Sequence, residues 1–174
     1  MSEPPSIRHA TPADAAAIAD IYNAGIADRG ATFETAPRQS GDIAAWFERG
    51  PRFPVLVAVD AADRVVGWAS VSSYRPRSCY DGVGEFSIYL ARAARGQGLG
   101  RVLLEALVEA ARGQGYWKLV SRVFPFNDAS RALCRACGFR EVGFYEKHAR
   151  LDGRWMDVVI VERLIAENLA CRDA

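Results

Sequence analysis

Several things are scarce in this chain of 174 residues, and each scarcity removes a class of function. Excess charge of one sign is missing: 22 lysines and arginines face 21 aspartates and glutamates. No broad basic footprint for nucleic acid or an anionic membrane follows from such a balance. No apolar run reaches membrane-spanning length. The opening MSEPPSIRHA lacks the apolar core of a signal peptide, so a cytoplasmic location is expected. Four cysteines are too few for a disulfide scaffold at this length, and reduced thiols are expected. Cys134 and Cys137 make one CxxC, yet no second pair exists and only His9 and His148 are at hand. A structural zinc takes four protein ligands, so no metal is expected.

What is present is ordinary globular composition, 50% apolar and 25% charged, in a length that suits one domain with a real core. Residues 11–28 read as a helix: Thr11 at the cap, Pro12 at the first position and Asp14 where a capping box places an acid. Ile18, Ile21, Tyr22, Gly25 and Ile26 share one face of it. A shorter helix over 41–49 would bury Ile43, Trp46 and Phe47. PVLVAVD and RVVGWASVSSY form a hairpin across Ala61–Asp63. GEFSIYLA alternates Phe86, Ile88 and Leu90 against Glu85, Ser87 and Tyr89, as a strand does. A helix over 99–113 would turn Val102, Leu103, Ala106, Leu107, Ala110 and Ala111 inward. WKLVSRVF is the next strand, Asn127 caps a helix that Gly138 terminates, and strands near 139–148 and 155–164 flank the turn LDG. No repeat or linker divides the chain, so the expected fold class is α/β, helices around one mixed sheet.

RAARGQGLGR, residues 92–101, follows the strand ending at Ala91 and runs into the start of the helix at Leu99. Glycines at the mouth of a helix bare several backbone N–H groups and let them converge on an anion, aided by the helix dipole. A Walker loop is excluded, because Gly100 is followed by Arg101 and Val102 rather than Lys and Ser or Thr. The dinucleotide fingerprint is excluded too: three residues after Gly98 stands Arg101, and three after Gly100 stands Leu103. Arg-x-x-Gly-x-Gly remains, carried by Arg95, Gly98 and Gly100.

EFSIYLARAARGQGLGRVLLEAL resembles the acetyl-CoA-binding motif of the Gcn5-related N-acetyltransferase (GNAT) superfamily, and NDASRALCRACGF resembles its next motif. With the flanking strands the resemblance spans about residues 6–164. GEFSIYL, SSYRPRSCY and DGRWMDVVIVERL are similar to the phosphinothricin and arsinothricin N-acetyltransferase branch. The resemblance implies a mostly antiparallel sheet split at the cofactor site, with acetyl-CoA as cosubstrate lying in the V. It also implies a small amino-acid substrate, acetylated at its α-amino group, and a homodimer. By the same likeness Ile88, Tyr89 and Leu90 would line the pantetheine arm through backbone groups, one of them polarising the thioester carbonyl. Arg95, Gly96, Gln97, Gly98, Leu99, Gly100 and Arg101 would cradle the pyrophosphate, and Asn127 with Ser130 would hold the cofactor arm.

An α-ammonium group must lose a proton before it attacks, and a carboxylate can take it. Glu85 stands where that branch has a glutamate and is the candidate base; Glu34 in TFET is a second, weaker carboxylate candidate. Arg75 and Arg77, separated by Pro76, would grip carboxylate or phosphinate oxygens of the substrate. Phe33, Tyr80 and Trp155 would wall the pocket. Cys134 stands where many of these enzymes have a tyrosine acid, so it is either a candidate general acid or a small core residue. Two other readings remain open at this point: acetylation of protein amines, and a CoA-binding regulatory module without catalysis.

Overall fold

The computed structural model of the chain describes residues 5–170. Seven strands make one sheet: β1 (Ser6–His9), β2 (Val55–Val59), β3 (Val65–Ser73), β4 (Val83–Leu90), β5 (Lys118–Val123), β6 (Arg140–Leu151) and β7 (Arg154–Leu164). Their spatial order is β1-β2-β3-β4-β5-β7-β6. Every neighbouring pair is antiparallel apart from β4 and β5. That parallel pair is short, with Val83 opposite Lys118, Gly84 opposite Leu119 and Glu85 opposite Val120. Beyond Glu85 the two strands part, and the sheet forks. The split sheet implied by the sequence motifs is therefore present.

Helices cover both faces. α1 (Ala15–Asp28) and α2 (Ser40–Phe47) bury Ile18, Ile21 and Ile43 against Val55, Val57, Val59 and Trp68. α3 (Leu99–Gly113) and α4 (Asp128–Ala136) close the opposite face, where Leu103, Leu104 and Leu107 meet Leu56, Ala58, Val71 and Phe86. β2 thus sends alternate residues to two cores, as the two-residue period of a strand dictates. α1 also passes close over β4. A Cβ on Gly25 would come within 2.7 Å of the Tyr89 ring, so a glycine is what permits this approach.

Several boundaries differ from the sequence reading. Regular helix begins at Ala15, preceded by a single 3-10 turn over Pro12–Asp14. The Asp14 carboxylate accepts from Thr11 N at 2.8 Å and from both Arg8 Nη atoms at 2.8 and 2.9 Å, which fixes that turn. α2 spans Ser40–Phe47; Ile43 is fully buried while Trp46 and Phe47 are half-buried. On α3 the buried stripe is Leu99, Leu103, Leu104, Leu107, Val108 and Ala111. Val102 is 52% exposed, because at 100° per residue a stripe centred on Leu103 and Leu107 leaves it on the outer shoulder. β6 and β7 run right up to Asp152–Gly153, where φ is +47° and +79°. Positive φ at both central residues gives a tight primed turn, which lets the strands extend to it.

Candidate active site

Two connected clefts open at the fork. The first, about 560 Å³, is lined by Ile88, Tyr89 and Leu90 of β4, by the glycine loop, and by Asn127, Ser130 and Leu133. Gly96 and Gly98 have φ of +74° and +78°, a region L side chains rarely enter. Among the described residues a Cβ at either would meet no atom within 4 Å, so their bareness relieves no internal clash there and leaves the cleft open. Gly98 is the N-cap of α3, its carbonyl accepting from Arg101 N at 3.1 Å. Among the described residues no backbone acceptor takes the N–H of Gly96, Gln97, Gly98, Leu99 or Gly100. Free amides converging at the start of a 15-residue helix make a site for an anion such as a diphosphate.

The side chains of the loop are engaged elsewhere. Gln97 Nε2 donates to Ala93 O at 2.7 Å, Leu99 is buried in the core, and Arg101 pairs with Glu105 at 2.8 Å. Arg95 donates to Leu90 O at 3.2 Å and to Asp28 at 3.3 Å. Asp28 also accepts from Arg92; this bond, with Arg95 helping, holds its carboxyl below the ordinary carboxylate value. Asn127 has two structural tasks: Oδ1 caps α4 by accepting from Ser130 N at 3.1 Å, and Nδ2 donates to Gly30 O at 3.1 Å. Its amide keeps one further N–H for a ligand in the cleft.

The second cleft, about 310 Å³, shares Ile88, Tyr89, Asn127, Ser130 and Leu133 with the first and adds Phe33, Glu34, Glu85, Arg122 and Phe124. Glu85, on the last residue of β4 that pairs with β5, stands at the crotch of the fork. Its Oε1 accepts from Arg122 Nη2, a partner the sequence reading missed. Glu34 is held by Arg38 at 2.8 Å, and Phe33 lies edge-on to Phe124 with ring centres 4.9 Å apart.

Cys134 reaches the same cleft but is only 3% exposed, and burial pushes its thiol up to about 12. An acid that weak is poorly matched to protonating a thiolate near neutral pH, and the packing is that of a small core residue. Tyr89 likewise packs away, stacked on Trp68 with centres 4.9 Å apart. Burial raises its phenol strongly, which leaves its backbone as what it offers the cleft.

Six expected residues line neither cleft: Gln97 and Leu99 of the glycine loop, and Arg75, Arg77, Tyr80 and Trp155. The loop bearing Arg75 and Arg77 leaves β3 just past Ser72, the register partner of Glu85. Both arginines are exposed there, Arg75 lying over the Tyr74 ring at 5.2 Å and Tyr80 meeting that ring edge-on. Trp155 is 58% exposed at the start of β7, under Arg150.

Comparison with known proteins places this geometry. The profile of the Acetyltransferase (GNAT) family matches residues 18–139. The L-methionine sulfoximine/L-methionine sulfone acetyltransferase of Pseudomonas aeruginosa is 38% identical over 159 residues, covering 90% of this chain and 92% of that protein. Phosphinothricin N-acetyltransferase of Alcaligenes faecalis is 35% identical, over 86% of this chain and 77% of that protein. A GNAT superfamily phosphinothricin acetyltransferase from Sinorhizobium meliloti, solved in complex with AcCoA, superposes with a TM-score of 0.86. It is 33% identical, over 92% of this chain and 88% of that one. The bare amides at 96–100 are donors that a diphosphate could take up, and Ile88, Leu90 and Leu133 give the same cleft an apolar wall. The chain belongs to the Acetyltransferase (GNAT) family and is an acetyltransferase that takes its acetyl group from acetyl-CoA.

Proposed function

We propose that this enzyme acetylates the α-amino group of a small glutamate-like amino acid of the phosphinothricin, arsinothricin or methionine sulfoximine/sulfone type, and so detoxifies it. One observation carries the reading: Glu85 lies in a cavity of about 310 Å³ that opens into the acetyl-CoA cleft. That volume is at the small end of ligand pockets, suited to an amino acid and tight for a peptide. Acetyl-CoA, when bound, supplies an acetyl thioester. Glu85 takes the proton that the substrate ammonium must lose, and the neutral nitrogen then attacks directly in a ternary complex. The backbone of Ile88–Leu90 aligns the arm of the donor, and the amides of 96–100 hold its diphosphate. Cys134 takes no part, so the departing thiolate leaves without an acid from this position.

The names of the relatives support the substrate class. Arg75 and Arg77, exposed on a loop that starts beside Glu85, are proposed to meet the distal anionic group of the substrate. A homodimer in the cytoplasm completes the proposal. Its support is the set of exposed apolar side chains along β6 and β7 at one end of the sheet, where Phe144, Tyr145, Trp155 and Leu164 are each about half exposed. The test is release of CoA thiol with phosphinothricin, arsinothricin, methionine sulfoximine and methionine sulfone. Turnover of at least one well above the acetyl-CoA hydrolysis background is expected; none above background would overturn the substrate assignment.

A further inference from the structure

Arg122 is the one cation among the residues that line the second cleft. It lies two residues beyond Val120, the register partner of Glu85, so both side chains leave the same face of the sheet where the strands part. Of the two carboxylates in the cleft, Glu34 is neutralised by Arg38, which leaves Glu85 and Arg122 paired with each other and, among the described residues, with no other charged partner. The Arg122 side chain is 45% exposed and that of Glu85 24%. An ion pair this open adds at most about 1 kcal/mol to a fold. Stability therefore gives little reason for an arginine at the fork.

A ligand gives a better one. An α-amino acid presents an ammonium and a carboxylate on a single carbon, and Glu85 beside Arg122 presents the opposite charges side by side. The guanidinium carries five N–H donors, of which the contact with Glu85 uses one. We propose that Arg122 binds the α-carboxylate of the substrate, so that the ammonium falls on Glu85 and the enzyme selects amino acids over simple amines. This deepens the proposed function and rests on it. Arg122 acts on the α-carboxylate, while Arg75 and Arg77 remain for the distal group. Binding exchanges one ion pair within the protein for two with the substrate, and fixing the carboxylate fixes where the nitrogen sits relative to the base.

The test compares methionine sulfone with its decarboxylated counterpart, 3-(methylsulfonyl)propylamine, in the wild type, Arg122→Gln and Arg122→Lys. Arg122→Gln is expected to lower kcat/KM for the amino acid by roughly tenfold to a hundredfold, chiefly through KM. For the amine, kcat/KM is expected to stay level or rise, so that the preference collapses. Arg122→Lys keeps the charge and is expected to restore part of it. Unchanged acetyl-CoA affinity and melting temperature verify that the variants fold. An equal loss on both substrates, or no loss on the amino acid, overturns the role of Arg122 while leaving the acetylation of amino acids intact. A wild type that acetylates neither compound, nor any other amino acid offered, overturns the amino-acid reading itself and Arg122's role with it.

Discussion

Replacing Gly98 by alanine isolates what the glycine loop does for the donor. At φ +78° an L residue is strained, and among the described residues no atom lies within 4 Å of the added carbon to compound the cost. The fold should lose only about 1–2 kcal/mol, a fall in Tm of roughly 2–8 °C at this size. Gly115, just past α3, supplies the control: its φ is +82°, its surroundings are equally open, and it lines no cleft. Gly115→Ala should therefore cost the same stability. Only at position 98 would the new methyl stand in the proposed diphosphate cradle and push aside its amides. Each charge-assisted hydrogen bond lost is worth roughly 1.5–3 kcal/mol, so the Kd for acetyl-CoA should rise about tenfold to 150-fold. Titration calorimetry beside thermal melts reads both quantities. If the two variants bind acetyl-CoA equally well, the bare amides at 96–100 are not the cradle.

Two further outcomes follow from side-chain environments. Asp14→Asn should cost about 2 kcal/mol by unfolding in urea, since the carboxylate takes four charge-assisted bonds at the entry to α1. In the wild type the Arg8 hydrogen bond holds the Asp14 carboxyl below its ordinary value. Its stabilisation should be complete above about pH 5 and be lost as the pH falls through the lower, folded value, a slope that the asparagine variant lacks. Cys134→Ala should leave kcat within about twofold, because removing a working general acid would cost roughly a hundredfold or more. A hundredfold drop in a variant that still melts near the wild-type temperature would restore the thiol to the mechanism.

Local features of this site are legible in the sequence, and non-local ones are not. Gly96 and Gly98 declare themselves because a turn of positive φ before a helix leaves few other residues possible, whereas Gly100, inside α3, is bare because Leu90 and Leu133 crowd it. Asn127 declares itself because a side-chain cap is made with the amide three residues on. Glu85 is singled out by the resemblance, since it precedes FSIYL where the phosphinothricin branch has a glutamate. Arg122 is not, since its partner is 37 residues away and the two meet only through a three-residue parallel pairing. The single signal was a charged residue inside KLVSRV, a strand otherwise reading as buried. Val102 misleads for a related reason: its apolarity fits the helix period, yet the axis of the packed stripe is set by which neighbours the helix meets. Arg75 and Arg77 show charge clustering in the sequence, but sequence spacing does not say on which side of a loop a long side chain lies.

The most direct measurement is turnover by Glu85→Gln at saturating acetyl-CoA, with acetyl-CoA binding measured in parallel. Glutamine keeps the shape of the side chain and removes its capacity to accept the ammonium proton. Expected is a fall in kcat of roughly 10²–10⁴-fold with the donor bound as tightly as before. A variant that turns over at the wild-type rate would contradict the assignment of Glu85 at the fork as the base.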